Sequence, residues 1–390
     1  MIAILGGGVA GVSSAIALKQ AGFEVCVYER SMAPSNIGAG IVVWPNAAFV
    51  LERIGVLEDI KAVSGYPRQM RRLSSSGEDL GAISIELINQ TMGYPSMSIL
   101  RRDFQAILIA KLEALGVDIR YGHAVTNIET SDRARAQVSF QNGTTIEADI
   151  VIGADGRMAS YARQYVKQDN KPVYQGFVNW IGVFESSEDV FEDISVADYW
   201  GIGERFGIVP ITKNKAYWAG GVASDELGQR KPSEYKSDLR VIFSNWPTTV
   251  CKMIDETPTA SINKIYVHDH DPMSVWHRNN LLVIGDAAHA PLPTSGQGAC
   301  QALEDAWHLS QCLSENAGDL QNAFSEFTQL RYEKTSNIIM AARGFAASLF
   351  NRDKDYCHTR NENSKKTDFA NVSRAMSRAW SSGLPLRIVS

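Results

Sequence analysis

The first 30 residues carry the pattern that most restricts what this chain can fold into. A short apolar run precedes Gly6, Gly8 and Gly11, which stand in the order G-x-G-x-x-G, and a helical pattern follows over 12–21. A second apolar run ends at Glu29, 18 residues beyond the last of these glycines. A strand, a glycine turn, a helix and a second strand that ends in an acid predict the βαβ unit that binds dinucleotides.

Each part of this unit has a physical role. Gly6 allows the tight turn, Gly8 lets the backbone approach a pyrophosphate, and Gly11 lets the helix and strand pack closely. The helix N-terminus stabilises the phosphate charge, and Glu29 would accept hydrogen bonds from the adenosine ribose. Arg30, the next residue, is a further candidate for cofactor binding. The alternative is a glycine-rich turn that binds no ligand.

The rest of the chain does not continue strand by strand as in a plain NAD dehydrogenase. A glycine-rich loop with Gly38 and Gly40 leads into a helical pattern, and a later strand ends in GADG at 153–156. The segment GDAAHAPLPTSGQGACQALEDA at 285–306 comes only after a long intervening stretch. A nucleotide fold interrupted by a long β-rich insertion suits a large, extended cofactor that is held from several directions.

Three segments together resemble a known family. GGGVAG at 6–11 with Glu29, GADG at 153–156 and the segment at 285–306 are similar to the three fingerprints of the single-component FAD-dependent aromatic hydroxylases. That family has the para-hydroxybenzoate hydroxylase fold. The resemblance runs from residue 2 to about 350, and the third fingerprint is highly specific in this long form.

Two further segments resemble one branch of the family. YQGFVNWIGVFE at 174–185 and VHDHDPMSVWHRNNLLVIGDA at 267–287 are similar to the FAD-dependent urate hydroxylase. That branch also holds salicylate-type hydroxylases and zeaxanthin epoxidase. The resemblance implies an α/β fold in which a Rossmann-like FAD-binding domain is interrupted by a β-sheet substrate domain and followed by C-terminal helices. The expected ranges are 1–70, 100–165 and 276–350 for the FAD-binding domain, 71–99 and 166–275 for the substrate domain, and 351–390 for a C-terminal helix or tail.

The resemblance also implies roles in the third fingerprint. Asp286 would hydrogen-bond the ribityl chain of FAD, with a helix N-cap as the alternative, and Pro293 would lie against the isoalloxazine edge. Gly296, Gly298 and Ala299 would present backbone N–H groups to flavin N1 and the C2 oxygen. N–H groups and a helix dipole at that place favour the anionic reduced flavin.

Other cofactor candidates come from the same resemblance. Arg101 in LRRDF matches the family arginine that reaches the FAD phosphate region, with Arg102 as its rival and a solvated face as the alternative. Gly40 and Val125 are also candidate cofactor residues. For His289, a structural role is favoured over contact with the pyrophosphate or flavin.

In the second fingerprint, Asp155 and Gly156 fit a motif associated with both FAD and NAD(P)H. The family usually has Ser three residues and Arg six residues after that glycine. Alanines occupy both places here, and Ser160 and Arg163 lie one residue later. A one-residue insertion would restore both.

The insertion at about 165 to 275 is rich in aromatic and β-branched residues, which is typical of strands. It predicts a sheet that covers the flavin and lines a mostly apolar pocket. By resemblance to the urate enzyme, Arg205 would bind an anionic substrate and Tyr217 would orient or deprotonate it. The alternatives are an edge cation and a packed tyrosine. Pro293 and Thr294 complete the catalytic candidates, although the urate enzyme has an acid where Thr294 stands, which weakens urate as the expected substrate.

The activity implied by the resemblance is that of a monooxygenase. NADH or NADPH would bind transiently and reduce FAD, and O2 would then give a flavin C4a-hydroperoxide that hydroxylates a small aromatic or heteroaromatic substrate, urate-like or salicylate-like. The alternatives are hydroxylation of a larger polycyclic compound such as an antibiotic, a flavin-dependent reductase, and a redox sensor without oxygenation. A flavin-dependent halogenase is disfavoured because its W-x-W-x-I-P motif is absent from the sequence.

Composition and motif spacing exclude several other classes of protein. The net charge is −5 with no sustained basic run, so neither nucleic acid nor an anionic membrane is an expected partner. Apolar runs are too short to span a membrane, and the opening strand breaks at glycines, unlike a signal peptide. The five scattered cysteines lack CxxC spacing and predict reduced cytoplasmic thiols. We expect a cytoplasmic monomer or homodimer without a metal, since His268 and His270 have no suitably spaced third ligand.

Overall fold

The computed structural model describes residues 1–34, 39–130, 135–228 and 231–386, and the predicted loop residue Gly38 lies outside these ranges. In chain order, their strands are β1 (Ile2–Leu5), β2 (Val25–Tyr28), β3 (Gly40–Val43), β4 (Gln69–Ser74), β5 (Asp79–Ser84), β6 (Met97–Leu100), β7 (Ile119–Arg120), β8 (Val125–Glu129), β9 (Ala136–Phe140), β10 (Thr145–Ala148), β11 (Ile150–Gly153), β12 (Val173–Glu185), β13 (Val196–Trp200), β14 (Glu204–Thr212), β15 (Lys215–Ala223), β16 (Asn263–Asp269), β17 (His277–Arg278) and β18 (Leu281–Val283).

The helices connect and cover these strands. In chain order, they are α1 (Val9–Gln20), α2 (Pro45–Arg53), α3 (Leu57–Ala62), α4 (Ile85–Met92), α5 (Arg101–Ala114), α6 (Tyr161–Lys167), α7 (Tyr235–Ile242), α8 (Thr248–Glu256), α9 (Asp286–His289), α10 (Gly298–Glu315), α11 (Leu320–Leu349), α12 (Lys354–Lys365) and α13 (Phe369–Ser381), with 3₁₀ turns at Pro232–Glu234, Thr259–Ser261 and Pro293–Ser295. None of the helices in the described ranges has the length and apolar character that a membrane crossing requires.

A six-stranded sheet in the order β17-β18-β11-β1-β2-β7 forms the centre of the first half of the fold. Its strands from β18 to β7 run parallel, and β17 pairs antiparallel at one edge. Every residue of β1 is buried, as its apolar sequence predicts for a strand covered on both faces. The predicted strand–turn–helix unit is confirmed, but the helix begins at Val9 rather than at residue 12, because the turn closes at Gly8.

A seven-stranded sheet in the order β16-β12-β15-β14-β13-β4-β5 forms the second half. One face packs on α7 and α8 through an aromatic cluster that includes Trp180, Phe206, Trp218, Phe243 and Trp246. The alternation of side chains along a strand directs Arg205 and Tyr217 to the opposite face. Part of that face packs on α11 and on the loop before α10, through Phe177, Trp200, Leu292, Ala342 and Leu349.

Smaller elements join the two halves. The strands β10, β9 and β8 form an antiparallel sheet, and β3 pairs with β6. The helices α12 and α13 pack on β5, and α13 also packs on α4, so the C-terminal segment is folded against the second sheet. A Rossmann-like sheet, a β-rich insertion and C-terminal helices are the fold class that the sequence predicts. The exact domain bounds stay a prediction.

Candidate cofactor and substrate site

The three fingerprint segments meet at the carboxyl edge of the parallel sheet. They follow β1, β11 and β18, which are neighbours in that sheet. Gly6 has a φ of +117°, and a Cβ there would lie 2.2 Å from the carbonyl oxygen of Ala154. A Cβ on Gly285 would lie 2.6 Å from the Cβ of Ala10. Ligands of open α/β sheets bind at this edge, so the fold brings the predicted cofactor residues to the expected place.

The first turn leaves the N-terminus of α1 open. A Cβ on Gly11 would lie 1.9 Å from the carbonyl oxygen of Gly6, so only glycine permits this close approach of helix and strand. Gly8, the N-cap residue, has no atom within 4 Å of an added Cβ other than its own neighbours. Open space before unpaired helix N–H groups fits the phosphates of a dinucleotide.

Glu29 is fixed across this turn. Its Oε2 accepts a hydrogen bond from the Gly7 N–H at 2.6 Å, and its Oε1 accepts one from the Ser31 N–H at 2.8 Å. A carboxylate offers about four acceptor positions, so both oxygens keep capacity for ribose hydroxyls. Arg30 is exposed, and Val125 is half-buried at the start of β8.

Asp155 binds the N-terminus of α6. Its oxygens accept hydrogen bonds from the Ser160 hydroxyl at 2.5 Å and from the N–H groups of Tyr161 and Ala162 at 2.7 and 3.1 Å. Burial raises the pKa of Asp155, and these hydrogen bonds oppose that shift. In the described chain the carboxylate therefore holds the GADG loop against α6.

The buried guanidinium of Arg163 connects the second fingerprint to the third. Its Nη1 donates to the carbonyl oxygens of Ala287 and Ala288 at 2.9 and 3.1 Å. Burial lowers the pKa of Arg163 to about 10. Ser160 and Arg163 are thus both engaged in this loop, and the one-residue insertion stays a prediction.

Asp286 is the first residue of α9, and its side chain is 38% exposed. The N-cap of α9 is Gly285, so the N-cap alternative for Asp286 is not realised. The side chain has one described partner, Arg157, whose Nε lies 3.6 Å from its Oδ2. Sequence analysis missed Arg157, although this residue directly follows GADG.

The contacts of His289 are those of a residue with a structural role. Its Nε2 lies 2.6 Å from Oδ2 of the buried Asp305, and its ring packs on Trp276. Burial alone would raise the pKa of Asp305, but His289 and Arg331 lower it to about 2. Asp305 and Glu304 belong to a buried polar network between α10 and α11 that sequence analysis did not find, because their partners Arg331 and Lys334 lie outside the fingerprint segments.

The loop before α10 carries the residues that the resemblance assigns to the flavin. Pro293 is exposed, and Gly296 has a φ of +62°, where glycine is favoured. The carbonyl oxygen of Gly296 accepts a hydrogen bond from Trp44 Nε1 at 3.0 Å. Gly298 and Ala299 are half-buried in the first turn of α10, an 18-residue helix whose N-terminus can stabilise negative charge.

Tyr217 lies against the backbone of β3. A Cβ on Gly40 would lie 1.8 Å from Cδ1 of the Tyr217 ring, so the two predicted residues are in direct contact. Burial raises the pKa of Tyr217, and its hydroxyl has no hydrogen-bond partner among the described residues. The residue keeps some exposed surface, so a neutral phenol is partly accessible at this place.

Arg205 shares the sheet face with Tyr217 but does not touch it. Arg205 pairs with Gly221 and Tyr217 with Val209, so they are four strand positions apart, roughly 13 Å. The Nε of Arg205 donates to Oδ1 of the buried Asp198 at 2.7 Å. No described residue accepts a hydrogen bond from its Nη groups, which sequence analysis assigned to an anionic substrate.

The remaining candidate site residues and the two histidines have few side-chain partners. The Thr294 hydroxyl donates to the carbonyl oxygen of Ala342 at 3.1 Å, which ties the loop to α11. Arg102 pairs with its neighbour Asp103, whereas the exposed side chain of Arg101 has no partner in the described part of the chain. His268 and His270 bond backbone carbonyls, and the described residues hold no group of three or more potential metal ligands.

This geometry defines a class of protein: a nucleotide-binding α/β fold that carries a second sheet. The open N-terminus of α1 and the acid at the end of β2 fit a dinucleotide such as FAD. A family model described as "FAD binding domain" matches residues 1–321, and the chain belongs to that family. It is 30% identical over 348 residues to the FAD-dependent urate hydroxylase of Mycolicibacterium vanbaalenii, covering 88% of this chain and 87% of the relative.

Other relatives and a solved structure agree on the class. The chain is 32% identical over 368 residues to 6-hydroxynicotinate 3-monooxygenase of Pseudomonas fluorescens, with coverages of 91% and 94%. It is 30% identical over 339 residues to aurachin C monooxygenase/isomerase of Stigmatella aurantiaca, with coverages of 87% and 86%. The structure of Klebsiella pneumoniae HpxO complexed with FAD and uric acid matches with a TM-score of 0.90 and 27% identity, over 98% of this chain and 97% of that one.

These similarities confirm the predicted family and fold. The chain is an FAD-dependent monooxygenase of the aromatic hydroxylase class, as the three fingerprints indicate. The roles of individual site residues remain the subject of the proposals below.

Proposed function

We propose that this enzyme uses NAD(P)H and O2 to hydroxylate a small aromatic or heteroaromatic ring of the urate-like or salicylate-like kind. The observation that carries this proposal is the placement of Tyr217 and Arg205 on the same sheet face. That face looks toward the loop that precedes α10. A neutral phenol and a guanidinium with free Nη groups suit a planar ring that bears an anionic or hydrogen-bonding group.

FAD would lie along the carboxyl edge of the first sheet. Gly6, Gly8 and Gly11 would admit its diphosphate, and Glu29 would bind the adenosine ribose. The exposed Asp286 would bind the ribityl chain, and Gly296, Gly298 and Ala299 would face the flavin. Arg101 is proposed for the phosphate region because Arg102 is engaged by Asp103. The surroundings of the cofactor would be completed by Arg30, Gly40, Val125 and Asp155. Asp155 would act through the GADG loop, which it holds against α6.

Bound FAD supplies the redox and oxygen chemistry. The protein's part is to bind the substrate, orient it and keep water out. Since burial raises the pKa of Tyr217, its phenol would orient the substrate as a neutral hydrogen-bonding group and would not deprotonate it. Pro293 would contact the flavin edge, and Thr294 would fix the loop on α11.

We also propose the co-substrate, the cellular compartment, the oligomeric state and the domain organisation of the enzyme. NADH or NADPH would bind transiently, and the enzyme would be a cytoplasmic monomer or homodimer. The free state of all five cysteines supports a reducing compartment. The second sheet with α7 and α8 supports a substrate domain at 71–99 and 166–275, inserted into an FAD-binding domain.

The test is oxidation of NADH and of NADPH by the purified yellow protein in air. Urate, 6-hydroxynicotinate, salicylate and 3-amino-4-hydroxybenzoate would be added singly, with product mass measured alongside. Faster oxidation with one compound, and one oxygen atom from ¹⁸O2 in the product, is the expected result. Basal rates with all four would contradict the proposal, and the same assay with aurachin C, the compound in the name of one relative, would then follow.

A further inference from the structure

The C-terminal helix α12 reaches the substrate face through Arg360. Its Nη2 donates to the carbonyl oxygen of Gly201 at 3.0 Å, and its Nη1 donates to that of Ser348 at 2.9 Å. The guanidinium carbon lies 5.3 Å from the ring centroid of Trp200. One side chain therefore joins α12, the end of α11 and the end of β13.

Trp200 is held between two cations. Arg72 lies 5.0 Å from its ring centroid, Arg360 lies 5.3 Å from it, and Phe345 packs edge-on. Only 3% of Trp200 is exposed. Cation–π contacts are strongest when desolvated, so this arrangement fixes the plane of the indole.

The indole in turn fixes a buried carboxylate. Trp200 Nε1 donates to Oδ2 of Asp198 at 2.9 Å, and Arg205 Nε donates to Oδ1 at 2.7 Å. Asp198 is 2% exposed and lies opposite Gly207. Because each carboxylate oxygen has one fixed donor, a rotation of the indole would rotate Asp198 and move the Arg205 guanidinium.

We propose that Arg360 is a positioning residue that acts through Trp200 and Asp198 to hold the guanidinium of Arg205 toward the substrate. The inference rests on the proposed function, because the substrate must contact Arg205. An arginine suits this role because its planar group can donate to two carbonyls and stack on a ring at the same time. Lysine at this position would keep the charge but lose the stacked plane.

The test uses the full-length, FAD-loaded protein. The variants are Arg360→Ala and Arg360→Lys, with Arg374→Ala, an exposed arginine of α13, as the matched control. The single variant Arg205→Ala and the double variant Arg205→Ala/Arg360→Ala complete a double-mutant cycle. The probes are urate, 6-hydroxynicotinate, salicylate and 3-amino-4-hydroxybenzoate, and the measured quantities are KM, kcat, FAD affinity and thermal stability.

We expect Arg360→Ala to raise KM roughly tenfold, the size of one weakened charged hydrogen bond, with FAD affinity unchanged. Arg360→Lys should give a smaller rise and Arg374→Ala none. In the Arg205→Ala background, Arg360→Ala should add nothing, because the two residues act in one chain of contacts. Additive effects, or an unchanged KM in Arg360→Ala when Arg205→Ala raises KM, would overturn the positioning role.

A second readout does not depend on turnover. In ¹⁵N-labelled protein, the indole N–H of Trp200, assigned with Trp200→Phe, and the Nε–H of Arg205 should both shift in Arg360→Ala and stay in place in Arg374→Ala. Unmoved resonances would overturn the inference even if no probe is a substrate. An unchanged KM in Arg205→Ala, with the resonances shifted as expected, would instead contradict the substrate contact in the proposed function.

Discussion

At the scale of single residues, the protonation state of Tyr217 decides what it can do. Its ordinary pKa is 10.0, and burial raises it further, so the phenol stays protonated at neutral and mildly alkaline pH. Tyr217→Phe keeps the ring on Gly40 and removes only the hydroxyl. We expect KM to rise roughly tenfold, as for one lost hydrogen bond to the substrate.

The pH profile gives the sharper measurement for this substitution. Because Tyr217 stays protonated, kcat/KM of the wild type and of Tyr217→Phe should depend on pH in the same way between about pH 6 and pH 10. If kcat/KM of the wild type changes with pH and this change is absent in Tyr217→Phe, the Tyr217 phenolate acts as a base.

Gly40 provides a second prediction at this scale. Gly40→Ala would drive a methyl group into the Tyr217 ring, so we expect a loss of about 1–3 kcal/mol in the free energy of unfolding. The matched control is Gly344→Ala within α11, where an added Cβ meets nothing within 4 Å and the helix should gain about 0.5–1 kcal/mol. Urea unfolding of both variants gives the comparison. Equal stability of Gly40→Ala and the wild type would show that β3 can move away from the ring.

At the scale of elements, α13 braces the loop that precedes α10. The rings of Trp380 and Trp44 lie 4.7 Å apart, and Trp44 donates to the Gly296 carbonyl oxygen. Trp380 is further tied to α11, since its carbonyl oxygen accepts a hydrogen bond from Lys334 at 2.7 Å. The C-terminal helices thus touch both the loop assigned to the flavin and, through Arg360, the substrate face.

Removal of this brace should weaken FAD binding. In Trp380→Ala the Trp44 ring loses its packing partner, so the Gly296 loop should become more mobile, and we expect the Kd for FAD to rise by roughly tenfold. Titration of the apoprotein with FAD, followed by flavin fluorescence, measures this change. Tyr356→Ala, a 44% exposed residue of α12 away from that loop, serves as control. An equal rise in both variants would point to general loosening of the C-terminal segment.

The same elements show what sequence could predict. Gly6, Gly8, Gly11 and Glu29 lie within one βαβ unit, whose local spacing dictates which atoms meet, and the structure has them as predicted. Arg157 meets Asp286 because β11 and β18 are neighbours in the first sheet, and Arg360 meets Gly201 because α12 docks on the second sheet; the second pair is 159 residues apart. No local periodicity encodes such docking, so these contacts could not be read from the sequence.

At the scale of the whole molecule, a buried polar layer between α10, α11 and the C-terminal segment makes stability depend on pH. His308 of α10 is 5% exposed, and its Nε2 has no hydrogen-bond partner among the described residues. Burial and, next, the charge of Arg331 lower the pKa of His308 from 6.5 to about 4. The native state therefore keeps this imidazole neutral at a pH where the unfolded chain would protonate it.

The sign of the effect follows from proton linkage. Below pH 6.5 the unfolded state binds more protons than the native state, so the contribution of His308 is complete above pH 6.5 and falls as the pH drops toward 4. Between pH 7 and pH 5 the loss should be about 2 kcal/mol, from about 1.4 kcal/mol for each pH unit below the unfolded pKa. His308→Gln has no titrating group, so its free energy of unfolding in urea should fall by about 2 kcal/mol less than that of the wild type over this interval. If the variant and the wild type lose stability equally between pH 7 and pH 5, groups other than His308 control the acid sensitivity of the fold.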